Sequence, residues 1–322
     1  MSDLKRKRQF HSRSHAYETL KGVDVSGKTF AITGTTSGIG VDTAEVLALA
    51  GAHVVMINRN VSESEKLKAR ILEKKPNAKI DIVACDLNNL KSVRKAGEQF
   101  VAQKWPIHGL ILNAGVFKPA VLKTSDGFES HFGVNVLAQF TLLRVLLPVV
   151  RRSAPSRIVF LSSTLSSKSG LKPSMSLDEK LKILQGEGPS SAVLANYGAS
   201  KMADMLLAFK LHREEFSNGI STYSVHPGNA VRTDIFRNST SGKIFSFFST
   251  PFTKNSSQGA ATTVYCAAHP EVVDASGRYW ESCWDDEKTL DKSIARDEQL
   301  QNALWKRLEE IDDKICGPRT SL

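Results

Sequence analysis

Tyr197 and Lys201 stand four positions apart in the segment Tyr197-Gly198-Ala199-Ser200-Lys201, and a glycine-rich segment, Thr33-Gly34-Thr35-Thr36-Ser37-Gly38-Ile39-Gly40, lies far upstream. On a helix, that separation puts both side chains on one face, with Cβ atoms about 5–6 Å apart. Met202, Met205, Leu206 and Phe209 continue the helical spacing and would face a core. A free phenol, with a pKa of about 10, is a poor base at neutral pH. A neighbouring ammonium favours the phenolate, so the pair suits proton exchange with a carbonyl or an alcohol. A donor for the developing alkoxide is also required. Ser162 and Ser163 follow the β-prone run Arg157–Leu161, and ligands gather at the carboxyl ends of strands in open α/β sheets.

The glycine-rich segment has the context that a phosphate-binding loop needs. Thr29–Thr33 is a short β-prone run, Gly34 ends it, and a helical pattern begins near Gly38 and runs to about Gly51. Gly34 permits a tight turn, Gly38 lets the backbone approach a pyrophosphate, and Gly40 lets the helix pack on the strand. Ser37 and Ile39 sit between these glycines and count with them as cofactor contacts. The free N–H groups at the helix start would face the phosphates. The spacing is G-x-x-x-G-x-G rather than G-x-G-x-x-G. Asn58 closes the second strand, His53–Asn58, 18 positions after Gly40, close to where an acid would grip a ribose 2′-hydroxyl. Arg59 follows it instead, and a guanidinium suits a 2′-phosphate. This favours NADP(H) over NAD(H).

The elements that must position these groups read as one α/β domain, a doubly wound parallel sheet of Rossmann type with helices on both faces. Strands are expected at Thr29–Thr33, His53–Asn58, Lys79–Ala84, Gly109–Asn113, Arg157–Leu161 and Ile220–Val225, with helices between them. Residues 1–24 read as a basic, disordered tail, and 25–322 as the domain with a C-terminal helix. Leu300, Leu304, Leu308 and Ile311 share one face of that helix. Residues 165–190 read as a loop beside the site, with a short helix at Leu177–Leu184.

Charge and cysteine content narrow the function classes. The net charge is +10, from 43 Lys and Arg against 33 Asp and Glu. It is spread along the chain with no interleaved aromatic platform and no zinc-ligand spacing. Nucleic acid is therefore not the expected partner, and the charge would serve an anionic cofactor. The run Lys5-Arg6-Lys7-Arg8 reads as a solvated tail, a nuclear-import signal, an anionic-lipid patch or a nucleic-acid contact. The four cysteines form no C-x-x-C pair, and no secretory signal is apparent, so reduced thiols are expected. No apolar run reaches about 18 residues, so no transmembrane segment is expected. The location expected is cytoplasmic, the alternatives being nuclear or membrane-peripheral through the basic N-terminus. Ile244–Phe248 reads as a lip of the substrate pocket or a buried helix edge. Thr320-Ser321-Leu322 lacks the basic middle residue of a peroxisomal signal.

Together the ordered motifs resemble the short-chain dehydrogenase/reductase family over about residues 25–315. They are Thr33–Gly40, Asp86-Leu87, Asn113-Ala114-Gly115, Asn135, Ser162-Ser163, Tyr197–Lys201 and Pro227-Gly228. Within it, His226-Pro227-Gly228-Asn229, Pro251–Lys254 and Gln258–Ala268 are similar to the branch that holds retinol dehydrogenases and WW-domain-containing oxidoreductases. The first 28 residues have no paired tryptophans and are too short for a WW module, so binding through one is not expected. The resemblance implies Tyr197 as general acid/base, and Lys201 as the group that holds the nicotinamide ribose and favours the phenolate. It implies Ser163 as the residue that polarises the carbonyl, and Asn135 as the one that positions a proton-relay water. Asp86, with Leu87, would contact the adenine, Asn113, Ala114 and Gly115 would line the nicotinamide side, and Pro227 and Gly228 would cover it. It also implies a small lipophilic substrate (a retinoid, steroid or fatty aldehyde), no metal, and a homodimer or tetramer through the helices that carry Asn135 and Tyr197. The C-terminal extension could equally block such contacts. Three features depart from the family pattern: Leu112 precedes Asn113, 34 positions separate Ser163 from Tyr197, and the loop after Gly228 diverges. A nucleotide-binding regulatory protein with little turnover is the competing reading.

Overall fold

The computed structural model describes residues 8–189, 192–228, 254–285 and 287–318. Expectations for residues 5–7, 229, 244–248, 251–253 and 320–322 lie outside the described residues. Seven parallel strands form one sheet in the order β3-β2-β1-β4-β5-β6-β7. They are β1 Thr29–Thr33, β2 His53–Asn58, β3 Lys79–Ala84, β4 Gly109–Leu112, β5 Ser156–Leu161, β6 Ile220–His226 and β7 Arg278–Glu281. The first three end where the sequence predicts, and the next three differ by a residue. β7 was not read from the sequence: it is only four residues long, and its signal is the pair Tyr279-Trp280, both buried.

Helices cover both faces. On one side, α1 (Ile39–Leu49), α2 (Val61–Lys74) and α7 (Ser256–Ala268) enclose a core with Leu47, Ile71 and Val264. On the other, α3 (Leu90–Ala102), α4 (Ala138–Arg152), α5 (Leu177–Leu184), α6 (Val193–Glu215) and α8 (Glu298–Cys316) enclose a larger one with Phe100, Phe140 and Phe209. A sheet covered on both faces needs strands that are apolar throughout, and every residue of β1 and β4 is buried. The chain winds outward from β1 to β3, then crosses back to β4. The connections after β1 and β4 therefore diverge and open a crevice at the carboxyl ends of those strands.

Two features brace the helices behind the site. A π-helical turn, His131–Leu137, leads directly into α4. An 18-residue stretch within the joined segment His131–Arg152 has a mean hydropathy of 1.7, apolar enough to cross a membrane by composition, but 89% of that stretch is buried inside the protein, as a core helix would be. Helix α8 begins at an Asp297 cap and buries Leu300, Leu304 and Leu308 against the body, while Ile311 is half-buried. Its buried Asp312 accepts hydrogen bonds from Thr141 (2.9 Å), Arg94 (3.2 Å) and Arg144 (2.5 Å). Packed against α3, α5 and α6 and tied to α4, α8 occupies a face of the helices through which pairing was expected.

The reading of residues 1–24 as a basic, disordered tail needs correction for the part described. Ala16 and Leu20 are buried, Phe10 meets Tyr265 edge-on with centroids 5.2 Å apart, and Ala16 N–H donates to the Ser257 carbonyl at 3.1 Å. These apolar residues are few and widely spaced, so they left no periodicity in the sequence.

Candidate active site

The crevice is a cleft of about 770 Å³. Gly34, Ser37, Gly38, Ile39, Arg59, Asp86, Leu87, Asn113, Ala114, Gly115, Ser163, Tyr197, Lys201, Pro227 and Gly228 all line it. Gly40 and Asn135, also expected in the site, stand behind its wall.

The glycine loop is built by close backbone contacts. Gly34 has φ +74°, and a Cβ there would lie 2.8 Å from Ala114 Cα. A Cβ on Gly40 would lie 2.1 Å from the Gly34 carbonyl oxygen and 2.6 Å from Asn113 Nδ2. Gly40 therefore acts by letting α1 meet the loop, not by touching a ligand. Asn113 ties the loop down: its Nδ2 donates to the carbonyls of Thr33 (2.8 Å) and Gly34 (2.9 Å). Helix α1 starts after Gly38 with no side-chain cap, so its first N–H groups remain available to an anion.

Asn58 lines the cleft, but its side chain is engaged with the loop. It is 4% exposed, accepts from Thr35 N at 2.8 Å, and donates to the hydroxyls of Thr35 (2.6 Å) and Ser64 (2.9 Å). Its amide is used up in holding the loop. The next side chain, Arg59, is 76% exposed on the cleft rim, with Nη1 4.0 Å from Asp86 Oδ1. A cation at that end suits a phosphate on the adenosine side.

At the other end, α6 presents Tyr197 and Lys201 together, with Nζ 5.7 Å from the phenol ring centroid. Phe117 meets Tyr197 edge-on at 4.8 Å, and His131 does so at 6.0 Å. Lys201 Nζ donates to the Leu161 carbonyl at 2.7 Å and to Asp204 Oδ2 at 2.9 Å. Burial works to lower the Lys201 pKa, but the charges of Asp204 and Tyr197 outweigh it and hold the ammonium above its ordinary value. Burial pushes the Asp204 carboxyl up to about 6, with Lys201 opposing. Cys85, also on the wall, is pushed up to about 12 by burial and by Asp86, so its thiol stays protonated at neutral pH.

The two serines separate clearly. Ser162 Oγ donates to the Lys201 carbonyl at 2.7 Å and so fastens β5 to α6. Ser163 Oγ accepts from Leu165 N at 3.2 Å, an arrangement that leaves its proton to donate. Gly198 brings the turn after Ser163 onto α6, since a Cβ there would lie 2.5 Å from the Leu165 carbonyl oxygen. Asn135 is held firmly by its side chain. That side chain accepts from Val116 N (2.7 Å) and donates to Val116 O and Ser200 Oγ (3.0 Å each), so it clamps the loop after β4. Sequence reasoning missed Phe117, His131 and the loop-holding role of Asn58, which no local pattern marks. It also missed Asp204, which the i,i+3 spacing from Lys201 could have revealed.

These residues fit a nicotinamide dinucleotide. Asn113 Oδ1 is buried against the loop with no hydrogen-bond partner in the protein, which marks a polar position that a bound group or water would satisfy. At Gly115 a Cβ would fill the space 3.2 Å from Asn135 Oδ1 and 3.4 Å from Lys201 Nζ. Among the described residues, no group of three or more His, Cys, Asp or Glu could hold a metal ion.

Comparison with known proteins agrees with this geometry. The short chain dehydrogenase family model matches residues 28–175. The WW domain-containing oxidoreductase of Gallus gallus is 36% identical over 314 residues, 98% of this chain and 75% of that protein. Retinol dehydrogenase 12 of Mus musculus is 36% identical over 285 residues, 88% of this chain and 85% of that one. A short-chain type dehydrogenase/reductase from Mycobacterium marinum superposes with a TM-score of 0.63 at 20% identity, covering 82% of this chain and 96% of that one. With a third of its residues shared across nearly its whole length, the chain belongs to the short-chain dehydrogenase family of oxidoreductases, whose cofactor is NAD(H) or NADP(H).

Proposed function

We propose that this oxidoreductase uses NADP(H) to interconvert a lipophilic carbonyl and its alcohol, with Tyr197 as general acid/base. One observation carries the reading. The cleft has a guanidinium on the rim at one end and a Tyr/Lys pair at the other, with an uncapped helix start between them. Bound there, a nicotinamide dinucleotide supplies or accepts hydride. Arg59 would hold the 2′-phosphate, the first amides of α1 the pyrophosphate, and Lys201 the nicotinamide ribose. Ser163 would donate to the substrate oxygen, and Tyr197 would give it a proton in reduction or remove one in oxidation.

The wall beside Tyr197 favours an apolar substrate. Phe117, Pro119, Ala120, Val121 and Leu165 line that side, and Val121 is 58% exposed at the mouth. On such an apolar wall, area and shape would select the substrate. The relative named retinol dehydrogenase 12 supports a lipophilic class. The reading is tested by following NADPH oxidation with retinaldehyde, ketosteroids and medium-chain fatty aldehydes. Turnover is expected with at least one, and stronger with NADPH than with NADH. No turnover across the panel, with NADPH still bound, would move the chain to a regulatory role.

A further inference from the structure

We propose that Asp204 is a positioning residue: its carboxylate, buried beside Lys201, holds the ammonium in place and offsets its charge, and so sets the pH range in which Tyr197 exchanges its proton. The inference rests on the role proposed above for Tyr197. It begins from donor counting. A lysine ammonium has three N–H donors. One goes to the Leu161 carbonyl at 2.7 Å and one to Asp204 Oδ2 at 2.9 Å, which leaves a single donor for whatever occupies the cleft. Two fixed partners hold the head of a long, flexible side chain. Both side chains are nearly inaccessible, at 6% for Lys201 and 5% for Asp204.

The charge argument follows from distance. The carboxylate lies 2.9 Å from Nζ, whereas the phenol ring centroid is 5.7 Å from it. Coulomb energy falls with separation and is weakly screened in a buried site. With Asp204 ionised, Tyr197 faces a nearly neutral pair and keeps its proton, which suits donation to a carbonyl. With Asp204 protonated, Tyr197 faces an uncompensated cation. Burial places that change at about 6.

Other ionisable groups face this part of α6. His131, paired with Glu129, lies on the π turn beside Tyr197. His226 lies on β6, 3.9 Å from Glu281. Lys168 ends the turn after β5. Farther along, Lys180 of α5 pairs with Asp297 at the start of α8, and Glu298 lies near Arg213. All of them persist when only Asp204 is changed, so the difference from wild type isolates its charge.

The test is Asp204→Asn, which keeps shape and removes charge, with Asp204→Glu as the charge-keeping control. The pH profiles of kcat/KM would be measured in both directions. In Asp204→Asn the limb governed by Tyr197 should move to lower pH by about one unit. That would give roughly tenfold faster alcohol oxidation on the acid flank of that limb above about pH 6, where wild-type Asp204 is still ionised. Asp204→Glu should bring the limb back toward wild type. A second arm needs no turnover. The Kd of NADH, which has no phosphate monoester titrating in this range, would be followed across about pH 6. Wild type should show a bend there that Asp204→Asn lacks. A purely structural ion pair would lower Tm and leave both curves in place, and that result overturns the proposal. Wild-type protein with no turnover would sink the functional reading instead, and the NADH arm would then decide the Asp204–Lys201 coupling. Should Asp204→Asn fail to fold, a wild-type NADH curve that is flat through about pH 6 overturns it.

Discussion

Replacing Arg59 should separate the two nicotinamide coenzymes, and the structure bounds by how much. Two unit charges 4 Å apart interact by about 1 kcal/mol in water and about 4 kcal/mol at an effective dielectric of about 20. Arg59 is 76% exposed, so the lower figure applies to the Coulomb part. A charge-assisted hydrogen bond, that Coulomb part included, contributes about 1.5–3 kcal/mol net. Arg59→Ala should therefore raise the Kd for NADPH roughly 10- to 150-fold. Arg59→Asp adds repulsion of about 1 kcal/mol and a further fivefold or so. NADH lacks the phosphate, so its Kd should change little. Asp86, 4.0 Å from the guanidinium, restrains it and is itself too exposed to neutralise it fully. The assay is energy transfer from the protein's tryptophans to the bound reduced coenzyme, titrated at low salt and again at about 1 M, where screening should shrink the wild-type preference. Equal losses for NADPH and NADH would refute the reasoning, because Arg59 would then act on something both coenzymes share.

Three other substitutions report on the parts behind the site. Gly40→Ala forces a methyl into the Gly34 carbonyl, so coenzyme affinity should be lost in both forms while Tm falls by an amount worth about 1–3 kcal/mol; unchanged affinity would contradict the loop packing. Asn58→Asp places an acid at the sequence position of a ribose-binding residue, but with its side chain turned into the loop. It should destabilise by about 1–3 kcal/mol without improving NADH binding, and a gain for NADH would refute the assigned orientation. Asp312→Ala leaves Arg94 and Arg144 without their buried carboxylate and should cost about 3–5 kcal/mol, read as a Tm loss of roughly 5–10 °C; a loss below about 1 kcal/mol would show that apolar packing alone holds α8.

The parts of the fold legible in the sequence were those with strong local patterning. Strands β1 to β3 are short runs rich in β-branched residues, and their limits match the sequence reading. Helix α5 carries its own start signal, the capping box of Ser176 and Glu179. Most of the candidate site was legible too, because a phosphate loop and a Tyr/Lys helix face are local motifs. Contacts between distant segments were not. Nothing local distinguishes Asn58 facing a ribose from Asn58 holding the Thr35 amide, a bond across 23 positions. Nor does anything local show that Asn135, within the π turn, bonds Val116 across 19 positions. The apolar wall from Phe117 to Val121 lies in a loop without periodicity.

The central claim is that Tyr197 moves the proton, and Tyr197→Phe tests it most directly. The mutant removes one hydroxyl and keeps the ring that packs on Phe117. Measured beside wild type on a carbonyl that wild type reduces, it should lose about 10²- to 10⁴-fold in kcat/KM, with its NADPH Kd within about twofold. Turnover equal to wild type at the same coenzyme occupancy would contradict the account.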